Sequence, residues 1–172
     1  MNPYAILVGN LCTLLAMGAN AFSSTRKTTK GMLRAQNLSQ VVYFASAVVL
    51  GGYSAAVQNV VSILRNMAAI RQIRSRALEW VLAGMGLVLG IVFNNRGIIG
   101  LLPVLGNLQY TLCIFRFPNN ERLMKLSFLI STLSFMLLNL VLYNFVGVVA
   151  DLTVSITTAI VLIKGKKKEQ QK

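Results

Sequence analysis

The sequence predicts an all-α membrane protein of seven transmembrane helices, arranged as two parallel three-helix repeats joined by a linker helix. Three observations predict this fold. The 172 residues are 55% hydrophobic and only 12% charged, about half the charge of a soluble domain. Apolar runs long enough to approach a membrane crossing recur seven times. Nearly all basic residues lie in alternate connections between those runs.

The apolar runs define the seven predicted spans. The second and third runs are continuous, as are the sixth and seventh. Each continuous stretch is about twice the length of one crossing and contains a turn signal, at Gly51-Gly52 or at Tyr143-Asn144. Each is therefore predicted to form a tight helical hairpin. No Lys or Arg precedes the first run, which favours a retained span over a signal peptide. The predicted spans are Tyr4–Phe22, Leu38–Gly52, Ser54–Ile70, Leu78–Phe93, Gly97–Phe115, Leu123–Tyr143 and Phe145–Ile163.

The basic residues predict the orientation. Groups of four, three, three and five follow the first, third, fifth and seventh spans, and only Arg65 and Arg96 lie elsewhere. The positive-inside rule then predicts the N-terminus outside and the C-terminus in the cytoplasm. Because these bases face lipid headgroups, the formal charge of +13 does not indicate nucleic-acid binding. Residues 165–172 are predicted to be a disordered basic cytoplasmic tail.

The residues that the chain lacks argue against catalysis. There is no His, and the two cysteines, Cys12 and Cys113, lie in apolar runs where free thiols are favoured over a disulfide. The four acids are scattered, and no phosphate-binding loop of the G-x-x-x-x-G-K-[ST] type is present. We predict no enzyme activity, no catalytic residues, no metal and no cofactor.

An internal repeat divides the predicted spans. The segment Leu7–Leu11 contains a Gly-Asn pair, and Val104–Leu108 contains another 97 residues later. Each is followed by a basic loop, a span that begins Leu-Ser, a charge-free turn and a third span. Two such units separated by one span enter the membrane in the same sense, as in parallel-repeat transporters. The predicted units are residues 1–77, a linker helix at 78–96, and residues 97–164.

Polar residues within the spans are the candidate site. Glu79 lies at the edge of the fourth span, so Asp151 is the only acid well inside a span, and a charge at that depth must face a cavity or a partner. Asn59 occupies the corresponding third span, six residues from its start, as does Asp151. Arg65 is either an ion-pair or coupling partner of Asp151 or extends to the membrane interface. The other amides are either interhelical hydrogen-bond donors or part of the site: Gln58, Asn10 and Asn107.

Short segments also carry a resemblance to a known family. Gly51–Asn59 with Ile63–Asn66, and Leu142–Gly147 in the second half, are similar to YgjV-type bacterial inner membrane proteins. The overall arrangement resembles the SWEET and PQ-loop (MtN3-like) transporter superfamily. In sugar carriers of that superfamily, an Asn on the third helix of each repeat lines the substrate pocket. The resemblance implies this role for Asn59, with Asp151 as its counterpart.

These observations favour a transporter of a small polar solute, such as a sugar, an amino acid or a related metabolite, in the bacterial inner membrane. The alternative is a non-transporting accessory, assembly or sensor protein. A channel would need more pore-lining polar residues than the spans provide. The predicted partners are the lipid bilayer and the solute. Gly86 and Gly90 have the GxxxG spacing, which indicates either close packing within the chain or a homo-oligomer contact through the fourth helix.

Overall fold

A computed structural model describes residues 2–73 and 75–169 of the chain. The protein is 86% helical, with no strand in the described part, which confirms the all-α prediction. The helices are α1 (Pro3–Thr25), α2 (Thr29–Val49), α3 (Tyr53–Ile70), α4 (Arg76–Val92), α5 (Gly97–Arg116), α6 (Glu121–Val141) and α7 (Phe145–Glu169).

Two helices extend more than five residues beyond a predicted end. The start expected at Leu38 is wrong by nine residues, because the side chain of Thr28 caps the backbone N–H of Gly31 and α2 begins at Thr29. Polar residues such as Gln36 then lie on its buried face. At the other end of the chain, α7 continues to Glu169, so the tail predicted at 165–172 begins as helix. Residues 170–172 lie outside the described part.

The two predicted hairpin turns are present and have the same construction. In the first turn Gly51 has a left-handed φ of 68°, and the N–H of Gly52 donates to the carbonyl of Ala47 over 2.8 Å. In the second turn Tyr143 has φ 56°, and the N–H of Asn144 donates to the carbonyl of Asn139 over 3.0 Å. Both patterns are Schellman motifs, which close the preceding helix and reverse the chain within three residues.

Six of the helices form a closed ring by pairwise contact. The order around the ring is α1, α2, α3, α5, α6 and α7, and α7 contacts α1 again. The remaining helix, α4, packs against α3 and α5 on the outside. We call the end of the bundle with the turns at 50–52 and 142–144 the hairpin end. The opposite end, with the connections at 26–28, 71–75 and 117–120, is the basic end.

Four helices are long and apolar enough to cross a membrane by themselves, namely α1, α5, α6 and α7. The mean hydropathy of α2 and α3 is lowered by inward polar side chains, such as Gln36 and Ser46 of α2 and Asn66 of α3. Apart from Lys30 and Arg34 near the start of α2, their exposed side chains are mostly apolar, and α4, with 17 residues, is the shortest helix. A membrane crossing by α2, α3 and α4 stays a prediction.

Two apolar clusters lie inside the ring. The hairpin-end cluster consists of Ala47, Leu50, Ala55, Ala56, Leu138 and Leu142. The basic-end cluster consists of Met32, Leu33, Tyr110, Cys113, Ile114, Met124, Phe128 and Val154. Both cysteines are free, as predicted, and Cys113 is buried whereas Cys12 is only partly so.

The glycines of α4 are used within the chain. The Gln58 side chain donates to the carbonyl of Gly86 over 2.7 Å, and a Cβ at Gly90 would lie 2.7 Å from Val104 of α5. The GxxxG face therefore packs against α3 and α5. Gly84 faces open space and is the glycine of this helix that remains free for a contact between copies.

Candidate functional site

A polar cavity of about 60 Å³ lies inside the ring of six helices. All six ring helices contribute to its lining. The hairpin-end cluster borders it through Ala47, Leu50 and Leu142, and the basic-end cluster through Tyr110 and Phe128. Between these apolar ends the wall is mostly polar, and the volume accommodates a few water molecules.

Asn59 and Asp151 both line this cavity. Each lies six residues from the start of its helix, about 9 Å below the hairpin end at 1.5 Å per residue. No hydrogen bond joins these two residues. The amide that donates to the Asp151 carboxylate is that of Asn139, over 2.8 Å. In the described part of the chain the Asn59 amide has no hydrogen-bonded partner and is directed at the cavity.

The hydrogen bonds of Asp151 extend into a chain that we call the Asp151 network. Asn144 donates to the Oδ1 of Asn139 over 3.0 Å and to the hydroxyl of Thr13 over 3.1 Å. Thr13 and Ser46 are linked by a hydroxyl contact of 2.7 Å. The network therefore joins α7, α6, the second hairpin turn, α1 and α2.

Arg65 is the centre of a second group, the Arg65 network. Its side chain is 1% exposed, and its Nε donates to Asn66 over 3.0 Å. Its Nη1 donates to the Oδ1 of Asn107 and, over 3.4 Å, to the hydroxyl of Thr111. The guanidinium also lies 4.4 Å from the centre of the Tyr110 ring, a cation–π contact. All of these partners are neutral.

Arg65 and Asp151 do not form an ion pair, although both line the cavity. A direct ion pair was one of the roles that the sequence left open for Arg65; in the described chain each charge is held by neighbouring amides instead. Its side chain does not extend to the interface in this structure either, since Arg65 is 1% exposed and donates to Asn66 and Asn107 inside the bundle.

Gln58 and Asn10 lie outside the cavity lining. Gln58 is between α3, α4 and α5, where it accepts from the Nδ2 of Asn107 over 2.8 Å. The Asn10 side chain donates to the carbonyl of Tyr143 and accepts from the N–H of Val146, which fastens the second hairpin turn to α1. Asn107 does line the cavity, and it also joins α5 to α3.

The two Gly-Asn pairs contact corresponding pairs of helices. A Cβ at Gly9 would lie 2.5 Å from Leu50 of α2, and one at Gly106 would lie 2.8 Å from Ser134 of α6. Each asparagine bonds to the third helix of the other half: Asn10 to α7 and Asn107 to α3. The two pairs therefore join corresponding helices, although Asn10 bonds at the second hairpin turn and Asn107 bonds to Gln58 within α3.

Sequence reasoning missed most of the polar cavity wall, including Asn139, which donates to Asp151, and the three residues Asn20, Gln40 and Tyr43. The Oδ1 of Asn20, the Oε1 of Gln40 and the hydroxyl of Tyr43 are buried without a hydrogen-bond partner in the described part of the chain. The signal was a polar stripe at three- to four-residue spacing on α2: Gln36, Gln40, Tyr43 and Ser46. The predicted start of this helix at Leu38 cut through that stripe.

Comparison with known families identifies the chain. A family described as bacterial inner membrane protein, of YgjV type, matches residues 7–169. The protein belongs to this family. It is accordingly a multi-pass protein of the bacterial inner membrane, in contact with the lipid bilayer. No curated protein and no solved structure matches it.

Proposed function

We propose that this protein is a carrier of a small polar solute, and that the solute binds in the central cavity between α1–α3 and α5–α7. The observation that carries the proposal is a polar cavity inside the ring, bordered by an apolar cluster at each end. Carriers built from repeats bind their solute between the repeats near the membrane centre.

The contacts between helices support a two-repeat arrangement with α4 as the linker. Each contact among α1, α2 and α3 has a counterpart among α5, α6 and α7: α1–α2 corresponds to α5–α6, and α2–α3 corresponds to α6–α7. Between the two halves, the α1–α7 contact corresponds to the α5–α3 contact. The matching Gly-Asn contacts support the same relation. Together with the resemblance to SWEET and PQ-loop carriers, they support rocking of one half against the other around a fixed site.

The two ends of the cavity differ in what lies beyond them. At the basic end a second cavity of about 430 Å³ is lined by Ile114 and Met124, which also belong to the basic-end cluster. That cluster is then the only described apolar layer between the two cavities, and its separation would open the central cavity on this side. At the hairpin end, Leu50 and Leu142 are the C-cap residues of α2 and α6. These two leucines would move apart to open the cavity at that end.

We further propose that the basic end faces the cytoplasm, in accord with the positive-inside rule. We propose no catalytic role, because the described cavity wall contains a single carboxylate and the chain contains no His. The small present volume favours one alternative, a non-transporting accessory or sensor protein in which the polar groups only hold the helices together.

Cysteine accessibility tests both the alternation and the orientation. Ser131 lines the cavity from the middle of α6, so Ser131→Cys would be made in a background without Cys12 and Cys113. A small membrane-impermeant thiol reagent is expected to modify it in both right-side-out and inverted vesicles. The matched controls are the exposed end residues Tyr143→Cys, modified only in right-side-out vesicles, and Lys27→Cys, modified only in inverted ones.

Each outcome has a distinct meaning. Modification of Ser131→Cys from neither side would overturn the carrier proposal in favour of the accessory protein. Modification from one side alone would contradict alternating access. If Tyr143→Cys were modified only in inverted vesicles and Lys27→Cys only in right-side-out ones, the proposed orientation would be reversed. The carrier proposal would stay intact.

A further inference from the structure

The cavity has two walls of different hydrogen-bonding character. One wall is formed by α1, α2 and α7, which are consecutive in the ring. It presents the Asp151 carboxylate and three oxygens without partners in the described chain, those of Asn20, Gln40 and Tyr43. Asn20 is 95% buried, so bulk water cannot satisfy its oxygen. The carboxylate and the two amide oxygens only accept, whereas the Tyr43 hydroxyl can also donate, so this wall suits an occupant that brings hydrogen-bond donors.

The opposite wall is formed by α3 and α5 and presents a cation. Arg65 is fully buried at membrane depth, and no carboxylate of the described chain lies within ion-pairing distance of it. Its Nε and Nη1 are engaged by neutral partners, and these bonds orient the guanidinium beside the cavity. The free amide of Asn59 adds donors on the same wall. An occupant here must bring acceptors, and a negative charge would compensate the buried cation.

We infer that the solute is a small zwitterion of the amino-acid type, with its ammonium group against Asp151 and its carboxylate against Arg65. This inference rests on the proposed carrier function and names the solute class of the same site. An ammonium group supplies three donors, which suits a wall of unpartnered oxygens. A carboxylate supplies the acceptor geometry that a guanidinium prefers.

The charge balance favours a zwitterion over a sugar. A sugar would satisfy hydrogen bonds but would leave the charges of Arg65 and Asp151 uncompensated in a site of low dielectric constant. A solute with one charge would compensate only one wall. A zwitterion compensates both walls and adds no net charge to the occupied cavity.

The first test needs only the unmodified protein. Calorimetry in detergent would measure binding of glycine, L-alanine, β-alanine and 4-aminobutyrate, which differ in size and in the separation of their charges. For the zwitterion that binds best, the amide removes the negative charge and the N-acetyl derivative removes the positive one. Each is expected to bind at least about thirtyfold more weakly, the lower end of the loss when one partner of a buried charge pair is removed. D-glucose is the uncharged comparison.

The second test links each charge to its wall. Arg65→Gln is expected to abolish the preference for the zwitterion over its amide and to retain the preference over its N-acetyl derivative. Asp151→Asn is expected to do the reverse. A residue with a purely structural role would weaken all three ligands together. Arg96→Gln, at a position outside the cavity lining, is the matched control and should keep both preferences. Arg65→Lys, which retains the charge, provides a second variant if Arg65→Gln does not fold.

The inference and the carrier proposal fail in different ways. Equal or tighter binding of the amide, the N-acetyl derivative or D-glucose would overturn the zwitterion inference, and so would the absence of binding by all four zwitterions. None of these results changes the accessibility of Ser131→Cys from the two sides, which tests the carrier proposal without any ligand. Loss of that two-sided accessibility would remove both.

Discussion

The Arg65 network and the Asp151 network bury opposite charges in the same bundle in different ways. Arg65 donates to three side chains from two nitrogens and lies over an aromatic ring, so it is held on several sides. Asp151 accepts one described side-chain hydrogen bond, from Asn139, and the rest of its network leads away toward the hairpin end. The two charges share a cavity without pairing.

This difference indicates how a membrane bundle keeps charges available. A direct ion pair would lower the cost of burying both groups, but it would also occupy the groups that a solute could contact. Amide partners reduce the cost of burial and leave the net charge of each group uncompensated. The heavily bonded Arg65 is therefore predicted to matter more for stability, and the lightly bonded Asp151 more for binding.

The largest effect is expected for Asn107→Leu. Asn107 accepts from Arg65 and from Ser62, and it donates to Gln58, so its loss leaves a buried cation and a buried amide short of partners. We expect the free energy of unfolding to fall by about 3 kcal/mol. Reversible unfolding in mixed detergent micelles would measure it. A loss below that of the Asn10→Leu variant would contradict the central position of Asn107.

A smaller loss is expected for Asn139→Leu, about 2 kcal/mol, because Asp151 loses its donor and Asn144 loses an acceptor. The double variant Asn139→Leu/Asp151→Leu tests the cause. If the penalty comes from the unpartnered carboxylate, removal of that carboxylate should restore part of the stability in the double-mutant cycle. Strictly additive losses would show that Asn139 acts independently of Asp151.

Asn10 belongs to the other Gly-Asn pair, and we expect Asn10→Leu to cost about 1 kcal/mol. Its hydrogen bonds go to the partly exposed second hairpin turn and involve no charge. The same unfolding assay applies. Equal losses for the two asparagines would mean that Arg65 adds nothing to the cost of removing Asn107.

The smallest effect on stability is expected for Asp151→Asn, within about 1 kcal/mol, because an amide oxygen still accepts from Asn139. The zwitterion should nevertheless bind only about as well as its N-acetyl derivative, because the charge that recognises the ammonium group is gone, and any proton coupling should be lost with the titrating group. Unfolding and ligand binding would be measured on the same preparation. Asp151→Leu removes the acceptor as well and should also disturb Asn139. Intact binding by Asp151→Asn would separate Asp151 from the site.

The sequence by itself determined the number of helices and the positions of the hairpin turns. An apolar run of twice the crossing length must reverse, and Gly51-Gly52 and Tyr143-Asn144 are local signals that need no distant contact. The start of α2 was missed because polar residues on its inward face resemble a loop when the partner helices are unknown. The two Gly-Asn pairs were visible in the sequence as well, and the repeat that they indicate stays a prediction.

Only the tertiary structure decided which polar side chains share the cavity. Gln58 and Asn59 are adjacent in sequence, yet successive helical residues point about 100° apart, so one faces α4 and α5 and the other faces the cavity. Asn20, Gln40 and Tyr43 join the site because α1 and α2 lie beside α7 in the ring. Residue type sets which groups need a partner in the membrane, whereas helix rotation and ring order determine which partner each one meets.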